Sequence, residues 1–63
     1  MLMLRNGNAM DFEYNERTET FTVSEYGPVN YKITEMNLNE LINLLEYNGH
    51  WSLALAVDEY YGN

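Results

Sequence analysis

The spacing of apolar residues changes once along this chain, at residue 37, and that change restricts the fold to a sheet followed by helices. Between residues 10 and 34 apolar side chains tend to occupy every second position, as they do in half-buried strands. From residue 38 they recur at intervals of three and four, as on one face of an α-helix. This order predicts the α+β class, with helices on one face of an antiparallel sheet.

Three strands are predicted before the change. Residues 10–15, 20–24 and 29–34 alternate apolar or aromatic with polar side chains, and β-branched and aromatic types are common among them. Polar residues 16–19 and the Tyr-Gly-Pro segment at 26–28 break the alternation and indicate turns. Because these connections are short, an antiparallel meander is the simplest topology.

A first helix is predicted from residue 38. Asn37 followed three residues later by Glu40 has the form of a capping box, with Asn in place of the usual Ser or Thr. Gly49 after Asn48 indicates the end of the helix. The apolar stripe expected to face the sheet consists of Leu38, Leu41, Ile42 and Leu45.

The segment 51–61 fits two interpretations. Its alternating Trp51, Leu53 and Leu55 would suit a strand, whereas Ser52 as a cap and the Leu-Ala-Leu-Ala run suit a helix. We favour a helix because alanine is depleted in strands. The overall prediction is then β-β-β-α-α, a three-stranded antiparallel meander with two helices packed on one face, in a single domain covering residues 1–63.

Residues 1–9 also fit two interpretations, which stay open at this point. Asn6-Gly7 is a strong hairpin signal, so that Leu2–Arg5 could pair with Ala9 and the residues after it. The same residues could instead form a flexible tail before an ordered chain that begins at Met10.

The absence of cysteine limits both the ways in which this chain can be stabilised and the kinds of chemical site it can form. A chain of 63 residues has little core, and without disulfides it needs either tight aromatic packing or self-association. The single His50 excludes a multi-histidine metal site, and it has no recognisable partner to orient it as a catalytic base. We therefore expect no metal, no cofactor and no enzymatic activity.

The charge balance indicates what kind of partner the chain could bind. Ten acidic residues against three basic ones give a formal net charge of −7. Such a chain is repelled by phosphate backbones and by anionic lipid, and it is attracted to cationic surfaces. No apolar run is long enough to cross a membrane. We expect a cytoplasmic protein that binds neither nucleic acid nor membrane directly.

Half of the acidic residues lie within one short stretch, between residues 11 and 25, where only Arg17 interrupts them. We interpret this stretch as a localised negative surface, with a tyrosine beside it as an apolar anchor. The alternative is a solvated face that serves solubility. The predicted partner-binding residues are Asp11, Glu13, Glu16, Glu19, Glu25 and Tyr26.

The six tyrosines are divided between core and surface by their positions in the predicted elements. Tyrosine is suited to interfaces because it buries a large area and keeps a polar tip. Those expected in the core are Tyr14, Tyr31 and Tyr60, and those expected at an interface are Tyr26, Tyr47 and Tyr61.

In size, acidity and lack of catalytic machinery the chain is similar to the small inhibitors that phages and mobile elements encode, among them anti-CRISPR and anti-restriction proteins. The similarity implies an inhibitor or adaptor that occupies the basic, nucleic-acid-binding surface of a larger partner, in the host cytoplasm if the gene is phage-borne. The alternative is a structural or regulatory homodimer, joined through Trp51, Leu55 and Tyr61 or through edge strands.

Overall fold

A computed structural model describes residues 1–62, and within them it contains a four-stranded antiparallel sheet followed by two helices. The strands are adjacent in chain order, and the molecule is flat, with principal extents of 37 × 25 × 15 Å. The α+β class is therefore confirmed. The elements are β1 (Leu2–Met3), β2 (Ala9–Asn15), β3 (Thr20–Tyr26), β4 (Tyr31–Met36), α1 (Leu38–Tyr47) and α2 (Trp51–Tyr61).

The three-stranded prediction is wrong by one strand, because residues 1–9 form the hairpin rather than a tail. Leu2 pairs with Met10 and Met3 pairs with Ala9. The hairpin turn has three residues, not the two expected for a type I′ turn. The Leu4 amide donates to the Asn8 carbonyl at 2.7 Å, and Gly7 has a φ of 90°. Glycine adopts this left-handed conformation without a steric penalty.

The last strand, β4, lies two residues further along the chain than the predicted 29–34. Phe21 pairs with Met36, which thereby extends the apolar inner face towards α1. This register turns Tyr31 and Ile33 to the other side of the sheet, where they are 60% and 57% exposed. The prediction failed here because the most apolar half of β4 faces away from the core.

The core lies between the inner face of the sheet and the two helices. Phe21 is the largest fully buried side chain, and aromatic rings surround it: Tyr14 lies at 5.1 Å and Tyr61 at 5.0 Å between centroids. This is the aromatic packing that a small chain without disulfides requires. The buried residues are Leu4, Met10, Phe21, Val23, Leu41, Leu45, Ala54 and Val57.

Both ends of α1 are closed by the residues that the sequence indicates. The Glu40 amide donates to Asn37 Oδ1 at 2.8 Å, and the Asn37 amide donates to Glu40 Oε1 at 2.9 Å, so the capping box is confirmed. At the other end Gly49, with a φ of 82°, donates to the Glu46 carbonyl and His50 donates to the Leu45 carbonyl. These two bonds form a Schellman motif, which places the start of α2 beside the end of α1.

The segment 51–61 is a helix, as favoured from its alanines, but its N-cap is His50 rather than Ser52. The His50 side chain makes no capping hydrogen bond to the described part of α2. Its Nε2 lies instead 2.7 Å from the Met3 carbonyl oxygen. The imidazole thus links the start of α2 to the edge strand β1, which is a structural role.

Two of the tyrosines expected in the core are exposed, Tyr31 by 60% and Tyr60 by 78%. For Tyr60 the cause is helical phase: Val57 and Tyr61 of α2 face the sheet, so Tyr60 points away from it. Tyr61, expected at an interface, packs against Tyr14 with 4.8 Å between ring centroids. Tyr14 is partly buried as expected.

Among the described residues no helix is long and apolar enough to cross a membrane.

The capping box yields a stability prediction. We expect Asn37→Ala to lower the free energy of unfolding by about 1 kcal/mol, because the Glu40 amide loses its acceptor. For a domain of this size, about 1 kcal/mol corresponds to roughly 4–8 °C in melting temperature. The matched control is Asn39→Ala, an exposed asparagine in the same helix, which we expect to change stability by less than about 0.5 kcal/mol. Equal losses in the two variants, measured by thermal and urea unfolding, would contradict this role for Asn37.

Candidate functional site

The sheet face opposite the helices takes no part in the core. In antiparallel pairing, residues directly opposite each other share a face. Since Phe21 and Val23 point into the core, Thr22 and Ser24 and their paired neighbours point away from it. We call this surface the outer face, and its residues are Met3, Ala9, Asp11, Glu13, Asn15, Thr20, Thr22, Ser24, Tyr26, Tyr31, Ile33 and Glu35.

Three carboxylates lie on the outer face, in two neighbouring rows across the strands. One row consists of Asp11, Ser24 and Ile33, and the next places Glu13 and Glu35 on either side of Thr22. Neighbouring strands are about 4.8 Å apart, so Glu13 and Glu35 stand on backbone positions roughly 10 Å apart. At that spacing one cationic surface can contact both.

An aromatic pair adjoins these carboxylates at one end of the outer face. Tyr26 and Tyr31 are directly paired across β3 and β4, and their ring centroids are 5.1 Å apart. Tyr26 also lines a shallow depression of about 230 Å³ together with Asp11 and Glu13. The structure therefore brings together three of the six residues predicted for partner binding.

Two further predicted residues, Glu16 and Glu19, lie in the loop between β2 and β3, at the opposite end from the tyrosines. Both are exposed. The loop is held by the Arg17 amide, which donates to Asn15 Oδ1 at 3.0 Å, and Glu19 adopts a φ of 56°. A left-handed conformation is uncommon for glutamate, so the surrounding loop must hold the Glu19 backbone in it. The loop thereby fixes the point from which the Glu19 side chain extends.

The remaining predicted carboxylate, Glu25, lies on the other side of the sheet. It pairs with Met10 and therefore shares the inner face. Asn8 Nδ2 donates to Glu25 Oε2 at 2.7 Å, and Asn6 Nδ2 donates to the same oxygen at 3.5 Å. The bond from Asn8 is the main cause that lowers the pKa of Glu25, with smaller effects from Asn6 and from the positive charge of Lys32.

Glu25 lines an open cavity of about 440 Å³ together with Arg5, Tyr47 and Asn48. The Arg5 guanidinium carbon lies 4.8 Å from the centroid of the Tyr47 ring, and the Arg5 amide donates to Asn48 Oδ1 at 2.8 Å. These contacts join the β1–β2 loop to the end of α1. Arg5 and Glu25 give the cavity charges of both signs, unlike the outer face.

The acidic residues of the outer face and its loop are not neutralised by the basic side chains of the described chain. Arg5, Arg17 and Lys32 form no ion pair within 4.0 Å of Asp11, Glu13, Glu16, Glu19 or Glu35 in residues 1–62. The amino group of Met1 lies 3.6 Å from Asp11 Oδ1, and both groups are more than half exposed. Such an exposed pair contributes little binding energy and is screened by salt.

Glu35 is the outer-face carboxylate that the sequence interpretation missed. The predicted third strand ended at Thr34, one residue too early to include it. The signal was available in the continued alternation of Tyr31, Ile33 and Glu35, which lie on one face once the strand extends to Met36. The missing information was the register with β3, which depends on the contact of Met36 with the core.

The residues considered for a homodimer contact are only partly accessible. Trp51 and Leu55 are 65% and 62% exposed, whereas Tyr61 packs against Phe21 and Tyr14. β4 forms one edge of the sheet, so a six-residue strand has an unpaired side in the described chain.

Comparison with known proteins gives no further assignment. The chain matches no protein-family model, and neither a curated protein nor a solved structure shows significant similarity to it. Within residues 1–62 no group of three or more His, Asp or Glu side chains is arranged to hold a metal ion. The surfaces of this chain are therefore what indicates its function.

The hydrogen bonds to Glu25 yield a pH prediction. We expect Asn8→Ala to raise the pKa of Glu25 towards its ordinary value, and Asn6→Ala, which removes the longer bond, to raise it less. A carboxyl whose pKa is lowered by folding stabilises the protein above its unfolded pKa, and this stabilisation is lost as the pH falls through the folded pKa. NMR titration of the Glu25 side chain measures both variants. A larger shift in Asn6→Ala than in Asn8→Ala would contradict the assigned cause.

Proposed function

We propose that this protein is a binding module whose outer face docks on a cationic surface of a larger protein, and that it acts by occupying that surface. The observation that carries the proposal is the combination on one uncovered sheet face of Asp11, Glu13 and Glu35 with the Tyr26–Tyr31 pair. The role proposed is inhibition or adaptation without a catalytic step.

The charge of the outer face supports a cationic partner. Its carboxylates have no basic side chain of the described chain within ion-pair distance. Asp11 has an exposed ion pair with the Met1 amino group, whereas Glu13 and Glu35 have none within residues 1–62, so the face retains a net attraction for an approaching cation. Such a field raises the association rate and makes it strongly dependent on salt. Glu16 and Glu19 extend the negative surface beyond the edge of the sheet.

The tyrosine pair supports binding to a protein rather than a general role in solubility. A face that served only solubility would not need two adjacent aromatic rings and Ile33, which are 38–60% exposed. Tyrosines surrounded by polar groups are frequent among the residues that dominate protein interfaces. The carboxylates would guide the approach, and the rings would provide the buried contact.

The partner surface proposed is one that otherwise binds nucleic acid. Such surfaces present Lys and Arg side chains spaced to contact successive phosphates, and carboxylates on adjacent strands can occupy the same positions. This is the mode of action suggested by the similarity in size and acidity to phage-encoded anti-CRISPR and anti-restriction inhibitors. Nucleic acid and this protein would then compete for one site.

The homodimer remains the second candidate, supported by the unpaired edge of β4 and by the exposed Trp51 and Leu55. Two copies with a net charge of −7 each repel one another, which favours the heterologous partner. Sedimentation at micromolar concentration separates the two candidates, because the binding module is expected to be monomeric.

A defined cationic probe tests the outer face before the partner is known. We expect octalysine, added to ¹⁵N-labelled protein, to shift amide signals mainly in residues 11–15, 20–24 and 33–35. Its affinity should fall at least tenfold between about 50 mM and about 200 mM salt. The Glu13→Gln/Glu35→Gln double variant should bind at least fivefold more weakly.

The matched control is Glu40→Gln/Glu59→Gln, which removes one carboxylate from each helix, and glutamine can keep the capping-box bond at position 40. Both double variants have the same formal net charge, −7 + 2 = −5. If both lose affinity for octalysine equally, net charge alone governs binding and the outer face is not a site.

The proposed competition is tested with proteins from the natural host that bind immobilised wild-type protein but not the Glu13→Lys/Glu35→Lys variant. We expect such a protein to bind duplex or single-stranded nucleic acid. Addition of the wild-type chain to that complex should release the nucleic acid. The charge-reversed variant should associate at least about tenfold more slowly. A partner that binds this protein and nucleic acid at the same time would overturn the occupancy mechanism.

A further inference from the structure

The helical layer carries a second surface that neither the core nor the outer face uses. It is a groove between α1 and α2 with a volume of about 290 Å³. We call it the helix groove, and it is lined by Ile42, Glu46, Trp51, Ala54, Leu55 and Asp58.

Two large apolar side chains that flank the helix groove are mostly exposed. Trp51 and Leu55 lie one turn apart on α2 and are 65% and 62% exposed, whereas Ala54 and Val57 supply the buried contacts of this helix. A tryptophan beside a leucine at this spacing provides the kind of anchor that dominates binding when a second helix covers it.

The charges around the helix groove restrict its occupant. Glu46 and Asp58 contribute carboxylates to its lining, and the chain after Lys32 contains no lysine or arginine. A second copy seated here would bring carboxylates against carboxylates, and an acidic segment would be repelled in the same way. A segment with lysine or arginine beside its apolar residues would match both the carboxylates and the apolar side chains of the helix groove.

The length of the helix groove fits a short helix. α2 has 11 residues and is therefore about 16 Å long, which corresponds to about three turns of a partner helix. We propose that the helix groove binds a basic amphipathic helix of a partner protein, with apolar side chains at i, i+4 and i+7 covering Trp51 and Leu55. This helix-in-groove site is separate from the outer face, so that the chain could hold two partner segments at once.

The probe for this site is a synthetic Leu/Lys amphipathic peptide of about 14 residues, or about four turns. Trp51 is the only tryptophan of the chain, so its fluorescence reports directly on the helix groove. We expect a saturable blue shift at micromolar peptide that weakens with salt. The same peptide with Glu in place of Lys, and a Leu/Lys peptide broken by two central prolines, should give no shift.

Variants separate this site from the proposed function of the outer face. We expect Leu55→Asn to weaken peptide binding at least tenfold, whereas Ile33→Asn, an equally exposed apolar residue of the outer face, should change it less than twofold. Glu46→Gln/Asp58→Asn should weaken binding at least threefold and reduce its salt dependence, and Glu13→Gln/Glu35→Gln should leave it unchanged. Circular dichroism checks that every variant is folded.

Three results would overturn the proposal. Equal binding of the Leu/Glu peptide would show that charge plays no part, and equal binding to Leu55→Asn would show that the peptide lies elsewhere. Wild-type dimers that Leu55→Asn converts to monomers in sedimentation would identify a second copy as the occupant. None of these results depends on whether octalysine binds the outer face, so the two proposals fail independently.

Discussion

Two short helices can cover only one side of a four-stranded sheet, and this constraint determines the rest of the molecule. α1 and α2 have 10 and 11 residues, and their apolar side chains are used to bury Phe21, Met10 and Val23 on the inner face. The outer face must then be soluble by its own composition or be covered by another molecule. Its threonines, serine and carboxylates meet the first requirement, whereas the exposed Tyr26–Tyr31 pair favours the second.

The small size of the two helices also explains why the helical layer keeps an accessible surface. Ala54 is buried in the helical layer. The large side chains of α2 that do not reach the sheet remain exposed, namely Trp51, Leu55 and Tyr60. The two surfaces have in common exposed apolar anchors and carboxylates, but they differ in shape. The outer face is open and suits a broad cationic surface, whereas the helix groove suits a single basic helix.

Much of the fold follows from local sequence patterns. The sequence-based predictions fail where contacts between distant residues determine the structure. The capping box at Asn37 and the stop at Gly49 depend on neighbouring residues, so the sequence predicts α1 correctly. The register of β4 depends on Met36 reaching the core, which no local pattern reveals. Glu25 is grouped with Asp11 and Glu13 in the sequence-based prediction because the predicted second strand ends at residue 24. Once β3 extends to Tyr26, alternation from Phe21 and Val23 places Glu25 on the inner face.

The central claim is that negative potential is concentrated on the outer face of the free protein. Paramagnetic relaxation of the amide protons by cationic and by neutral nitroxide probes measures this potential residue by residue. We expect the ratio of cationic to neutral enhancement to be highest at Glu13, Thr22 and Glu35, and lowest near Arg5 and Lys32. A uniform ratio along the chain, or a maximum confined to the helices, would contradict the account.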